Sequence, residues 1–484
     1  MTDTAGTGLK HGALGTSSIV YIVVSAAAPL MVMVGVAPIG LIVAGVSAPV
    51  MYLAAGITLA VFAVGFTTMA RHVTNAGGFY AFITQGLGTG AGATAALLAL
   101  FSYNALEIGV FGLLGASANV TFADVLGIDL PWYVWALVGV AVVWYLGFRS
   151  IDVGAKVLAV LLTAETALLL LLAVAVLVKG GADGIGLDSF RPSNVFTTGT
   201  GTALPIAFGA FMGFESTVIY RSEARHPDRT IPRATYAAVA ILALVYGFIV
   251  WSIVQAYGAD AIVGAAASDP VGLFFAATQT YLGGWAVTLM QLLMVTSILA
   301  SLLAFHNAIT RYARAIAEEG LLPSALAVVH PRTRSPYVAG IVQTVLAAVV
   351  VVGFAVAHGD PFADLLIWVN TPGVLGILVL QVAVAVAVPA YFARTSHQES
   401  AWRTKVAPLL AAAAMTGTLC VTVTHLDLIT AASESVNLVL MLSVVAVCAC
   451  GVSWALWLRR NRPEVYAAFA AEPDEPGLAS DLVG

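Results

Sequence analysis

The feature that most limits what this chain can fold into is a series of apolar stretches, each long enough to cross roughly 30 Å of hydrocarbon as a helix. Twelve can be read: residues 18–44, 48–70, 91–118, 131–148, 153–178, 201–220, 235–257, 283–316, 337–357, 362–388, 406–425 and 435–458. With no water in the bilayer core, a spanning segment must satisfy its own backbone groups, so runs of this length are helices. The composition agrees, with 60% apolar and 9% charged residues, against about 45–50% and about 25% in soluble domains. The expected fold class is an all-α integral membrane protein of about twelve transmembrane helices.

Lys and Arg gather in short cytoplasmic loops, so their distribution tests the count. With the N-terminus inside and twelve crossings, eighteen of the 20 Lys and Arg fall on the cytoplasmic side, and only Lys179 and Arg191 fall outside. A missed crossing would move every later loop to the other face. A multi-pass protein of the cell (cytoplasmic) membrane with both termini in the cytoplasm is expected. The net charge of -5 says little about partners, because the charge asymmetry runs across the membrane.

The first seventeen residues are polar and Gly-rich, and the first apolar run is too long for a signal-peptide core, so it reads as an uncleaved span. Cys420, Cys448 and Cys450 all lie in the last two runs, where they read as packing residues rather than a disulfide framework or a zinc site. The expected layout is a cytoplasmic N-terminus (1–17), a first block of five spans (18–178), a second block (201–388), two further spans (406–458) and an acidic, Pro-rich tail (463–484) read as disordered. No soluble segment is long enough for a core of its own. Function is therefore expected within the helices.

All but three of the 20 Lys and Arg and 25 Asp and Glu lie at or near an interface, the exceptions being Glu107, Glu165 and Glu215. A charge at mid-bilayer costs roughly 2.5–3.5 kcal/mol on insertion scales, so such residues face a cavity, pair or stay protonated. The plain reading of each is a protonated Glu bonded to a nearby carbonyl; three together favour function.

Backbone irregularity points the same way. The first span contains "SAAAPL", Ser25 to Leu30, with Pro29 near its middle, and the sixth contains "GAFMGFES", Gly209 to Ser216. Small residues and Pro also serve close helix packing. These two breaks, however, each open a five-span block, and interrupted segments at matching places in two halves are the best sequence pointer to a transporter site. Because five is odd, the two blocks would run as inverted repeats. A broken helix exposes N–H ends that suit a carboxylate and C=O ends that suit an ammonium group, so a zwitterion such as an amino acid fits both. Ser25, Ala26, Ala27 and Ala28 at the first break, with Phe208, Phe211, Met212 and Gly213 at the second, are the expected substrate-binding residues. In the third span "SYNALEIG" adds Tyr103, Asn104 and Glu107 as the other wall. Tyr103 and Glu107, four apart, share a helix face.

At this point "GFESTVIYRSEARHPDRTIPRA", Gly213 to Ala234, closely resembles the sixth-helix and following-loop signature of the amino acid-polyamine-organocation permeases, bacterial amino acid permease type. "NAGGFYAFITQGLG", Asn75 to Gly88, is similar to the segment leading into that family's third helix, and "NAITRYARAIAEEGLLPSALAVVHPRTRSP", Asn307 to Pro336, to its eighth-helix exit and loop. The resemblance implies a five-plus-five inverted repeat of the leucine-transporter type, alternating access, and a midplane site between broken helices one and six. It also implies that Glu215 belongs to a hinge and gating motif rather than acting as the substrate's counter-ion. Two departures stand out. The first break reads "SAAAP" where the family often carries a Gly-rich triplet. Glu165 stands where several proton-coupled members carry a Lys in place of a bound sodium ion, and a carboxylate does not mimic that cation. Glu165 therefore has two readings, a proton carrier or a sodium ligand with Ser297 or Ser301; the proton is favoured because no second carboxylate is evident nearby and no Arg or Lys partner lies at that depth.

A membrane enzyme would need a nucleophile and base, or metal ligands clustered at one interface. The eight His are scattered, with none at metal-ligand spacing, so no catalytic residues, metal or cofactor are expected. A channel would need rings of pore-lining polar residues, and a sensor an output domain; a membrane amino acid sensor without flux is the alternative from a different class. The expected function is secondary active transport with proton-coupled uptake of a neutral amino acid, suited to the walls Phe208, Phe211, Met212 and Phe214; the alternative is transport or exchange of a cationic amino acid or polyamine recruited by Glu107.

Overall fold

The computed structural model describes residues 14–73, 78–149, 155–215, 217–218, 224–333 and 335–469. Among them the architecture is all helical, apart from an isolated parallel bridge between Leu14 and Ala224. Nine helical stretches are long and apolar enough to cross a membrane, and Trp132–Phe148 is a shorter apolar helix. One of the nine, Met31–His72, holds the second half of the first expected span and all of the second, which turn into one another at Gly45 with φ 60°. The chain is a multi-pass membrane protein.

The first span is split into α1 (Thr16–Ala26) and, after a π-helical stretch Met31–Val36, α2 (Ala37–Ala44). There follow α3 (Ala48–His72), the short α4 (Phe79–Leu87), α5 (Thr89–Leu126), α6 (Trp132–Phe148) and α7 (Ala155–Lys179). The second half runs α8 (Thr198–Ala210), α9 (Pro227–Tyr257), α10 (Gly284–Glu318), α11 (Tyr337–Val356), α12 (Val369–Phe392), α13 (Ala407–Thr424) and α14 (Glu434–Asn461). A last short helix, α15 (Pro463–Ala468), follows Arg462.

Helix α5, at 38 residues, is about 57 Å long at 1.5 Å per residue. It outruns the hydrocarbon layer and forms the post around which α4, α6, α10, α12 and α14 pack. Small residues let neighbours approach its backbone. A Cβ added at Gly115 would lie 2.6 Å from the carbonyl oxygen of Trp132, where α6 begins. The outer faces are apolar as well: Val342, Val345 and Val349 on α11 and Leu438, Val439, Leu442 and Val445 on α14 are exposed. A soluble protein would bury those faces; here they suit lipid.

The tail departs from expectation at its start. Pro463–Ala468 is helical rather than disordered, and Phe469 is 2% exposed. Composition forecast solvation, but one aromatic ring found a packed site. Residues 1–13, 74–77 with Asn75 of the third-helix approach, 150–154 at the start of the fifth expected span, Ser216, the loop stretch 219–223, Arg334 and the tail from 470 onward lie outside the described residues.

Candidate functional site

The first break is local chemistry. Ala27 N–H closes the last bond of α1 on Val23 O at 3.1 Å, and Val32 N–H opens the next run on Ala28 O at 3.1 Å. Between them Pro29 offers no N–H and disfavours helical geometry in the residue before it. Ala28 accordingly adopts φ 42°, a left-handed geometry that costs an L-residue roughly 1–2 kcal/mol. Ala27 and Ala28 are both buried. Ser25 and Ala26 are the closing residues of α1.

The second break follows α8. Phe211 N–H and Met212 N–H bond to Phe208 O at 3.2 Å and Gly209 O at 3.1 Å, tightening the last turn. Gly213 then takes φ 105°, a conformation open to glycine without a side-chain clash. Its freed N–H donates to Glu215 Oε2 at 3.0 Å, while Tyr103 of α5 donates its hydroxyl to Glu215 Oε1 at 2.8 Å. Glu215 thus stitches the broken helix to the third span. Phe208, Phe211, Met212 and Phe214 are buried; the Phe214 ring meets Phe62 and Phe66 of α3 at 6.1 and 6.3 Å.

Tyr246 of α9 joins the two breaks. Its hydroxyl donates to Ala27 O at 3.4 Å, and its ring stands edge-on to Phe211 at 6.1 Å. Glu165 is buried on α7, which packs against α9 and α10, and it stands beside Ser297 of α10. One turn on, the Ser301 hydroxyl is buried and has no hydrogen-bond partner among the described residues. Tyr21 of α1 and Thr163 of α7 are hydrogen-bonded, which ties the first half of the broken span to the helix carrying Glu165.

The three residues expected from α5 part company. Tyr103 reaches Glu215. Asn104 turns its amide onto Leu100 O of its own helix at 2.7 Å. Glu107, 1% exposed, accepts a hydrogen bond from Gln343 Nε2 of α11 and faces His306 Nδ1 of α10 at 3.6 Å. That cluster is separate from the contacts around Glu215. Among the described residues no group of three or more His, Cys, Asp or Glu is placed to hold a metal ion.

Tyr246, His306 and Gln343 carry these arrangements, and sequence reasoning singled out none of them for the site. His306 is one of the eight scattered His, and the other two sit in helices with no local irregularity. A polar group at membrane depth was the one available signal.

Comparison with known proteins agrees with this architecture. Residues 18–467 match the amino acid permease family. An uncharacterised transporter of Mycobacterium tuberculosis is 29% identical over 238 residues, 46% of this chain and 52% of that protein. An L-methionine/branched-chain amino acid exporter of Escherichia coli is 29% identical over 189 residues, 38% of this chain and 42% of the relative. A cationic amino acid transporter of Arabidopsis thaliana is 25% identical over 161 residues, 33% of this chain and 26% of the relative. The chain spans about half the length of the first of these curated relatives and less of the others. Since the family match runs from the first span through α15, the chain belongs to the amino acid permease family, a class of membrane transporters rather than enzymes.

Proposed function

We propose that this chain is a secondary active transporter that moves an amino acid across the cytoplasmic membrane by alternating access, with twelve spans, a five-plus-five inverted repeat and both termini cytoplasmic. The observation that carries the reading is the meeting of two broken helices at one tyrosine: Tyr246 touches Ala27 at the first break and Phe211 at the second. Backbone that leaves the helix at membrane depth is tolerated where protein or a water-filled cavity receives it, and paired breaks are where a zwitterion finds N–H and C=O ends together. Residues 25–28, Phe208, Phe211, Met212, Gly213 and Tyr103 are the proposed substrate-site residues, and Glu215 the hinge.

The substrate we favour is a neutral amino acid taken up with a proton. Two of the three mid-membrane carboxylates are engaged, Glu107 with Gln343 and His306, and Glu215 with Tyr103 and Gly213, so neither is free to receive a cationic side chain. The name of the Escherichia coli relative, an exporter of methionine and branched-chain amino acids, fits an apolar pocket. The cationic alternative has support in the name of the Arabidopsis relative. Glu165 is the proposed proton carrier, with sodium held by Ser297 and Ser301 as the competing arrangement.

Proteoliposomes with each gradient imposed separately test both levels. A neutral amino acid should accumulate when the outside is acid, and Glu165→Gln should abolish that dependence. Accumulation that follows sodium and ignores pH overturns the proton assignment. Binding of amino acids without flux under any gradient overturns the transporter reading in favour of a sensor.

A further inference from the structure

The C-terminal segment does something that a solvated tail has no reason to do. Trp454, near the end of α14, donates its indole N–H to Leu321 O in the loop after α10 at 3.0 Å, which pins the exit of that helix. The chain then turns at Arg462, and α15 runs back under the bundle. Val465 packs on Gly320, where its Cγ1 is 2.8 Å from the place a Cβ would take, and the Tyr466 hydroxyl is 3.4 Å from the same place on Gly90. At its end Phe469 is 2% exposed.

Phe469 is the first ring of a continuous series. It stacks on Tyr80 of α4 at 5.4 Å and 30°, and Tyr80 stands edge-on to Tyr312 of α10 at 5.4 Å. Tyr312 stands edge-on to Tyr103 at 6.3 Å, and Tyr103 donates to Glu215 beside the second break. Such edge-to-face and offset-stacked pairs are the favoured aromatic geometries. Tyr80 is fixed in place by donating to Glu319 at 2.9 Å. Burial and the nearby Glu319 carboxylate hold its phenol above the ordinary value, so it remains a donor. The series runs from the helix-six break to the face on which Lys and Arg gather.

We propose that this surface, formed by α4 and the adjoining ends of α5 and α10, is a docking site for the chain's own segment Pro463–Phe469, which plugs the cytoplasmic route to the substrate site. The proposal rests on the transport reading and on the cytoplasmic placement of the tail. Docked, Phe469 closes the outermost layer, and the Tyr103–Glu215 hydrogen bond closes the innermost one. Opening to the cytoplasm requires the segment to leave.

The test is a thiol-accessibility measurement on the full chain. Cys420, Cys448 and Cys450 are replaced by alanine, and Tyr312→Cys serves as the reporter one layer further in, behind Tyr80 on which Phe469 stacks. In inside-out vesicles a membrane-impermeant maleimide should label the reporter at least tenfold faster when Phe469→Ala is added, and within twofold of the parent rate with Phe469→Tyr. Equal rates for Phe469→Ala and the parent overturn the plug. Should Phe469→Ala fail to accumulate, Val465→Asp, which sets a charge in the packed place on Gly320, decides instead. That charge should speed labelling of the Tyr312→Cys reporter by the impermeant reagent at least fivefold; no change sinks the proposal. Neither arm needs a substrate, so a failure of the transport reading appears as absent flux with plug-dependent labelling intact.

Discussion

Removing one oxygen atom, in Tyr103→Phe, separates a gate from a packing contact. The hydroxyl of Tyr103 is the side-chain donor on Glu215 Oε1, at 2.8 Å, and the other carboxylate oxygen is held by Gly213 N–H at 3.0 Å. Glu215 is 8% exposed, so water does not readily replace the lost donor. A hydrogen bond to a charged group contributes about 1.5–3 kcal/mol and one between neutral groups about 1 kcal/mol. At about 1.4 kcal/mol per factor of ten, the closed junction should open about 10- to 100-fold more often with an ionised Glu215, and about fivefold with a neutral one. The assay is alkylation of Thr217→Cys, a fully buried position just past the break, in Tyr103 and Tyr103→Phe backgrounds. Adding Glu215→Ala, which removes the acceptor, completes a double-mutant cycle in which most of the Tyr103→Phe effect should disappear. Labelling that changes less than twofold, or a Tyr103→Phe effect that persists undiminished beside Glu215→Ala, refutes the argument that this bond holds the junction.

Gly115→Ala should destabilise by about 1–3 kcal/mol through overpacking, since the new methyl meets the Trp132 carbonyl at 2.6 Å; the melting temperature of the detergent-solubilised protein reads it. Ala28→Gly should leave that temperature equal or raised, because it relieves a left-handed alanine at φ 42° whose strain is roughly 1–2 kcal/mol. A clear fall would mean that the Ala28 methyl packs for more than its backbone costs. Glu107→Leu strands Gln343 Nε2 in the interior and should cost about 1–3 kcal/mol, whereas Glu107→Gln should leave the affinity for a cationic ligand such as arginine within twofold. A tenfold loss in isothermal titration would return Glu107 to the substrate pocket.

The helices were readable from residue order because their causes are local. A run must be long and apolar to cross hydrocarbon, and α3, α6, α11 and α14 begin and end within a few residues of the apolar runs. The breaks were readable for the same reason: Pro29 acts on the residue before it, and Gly213 permits a dihedral that its neighbours resist. Partner choice is different, because it depends on which faces of distant helices meet. Glu215 and Tyr103 are 112 positions apart, and Tyr246 and Ala27 are 219; no periodicity links them. Tyr103 and Glu107 share a helical face yet bond to different helices, since α5 is surrounded on several sides. Phe469 lies in a stretch whose composition argues for solvation, and it is buried because its ring stacks on Tyr80 of another element, which in turn stands edge-on to Tyr312. Residue order settled where the chain spans and where it breaks; packing in three dimensions decided which polar groups meet at those breaks and what covers the route to them.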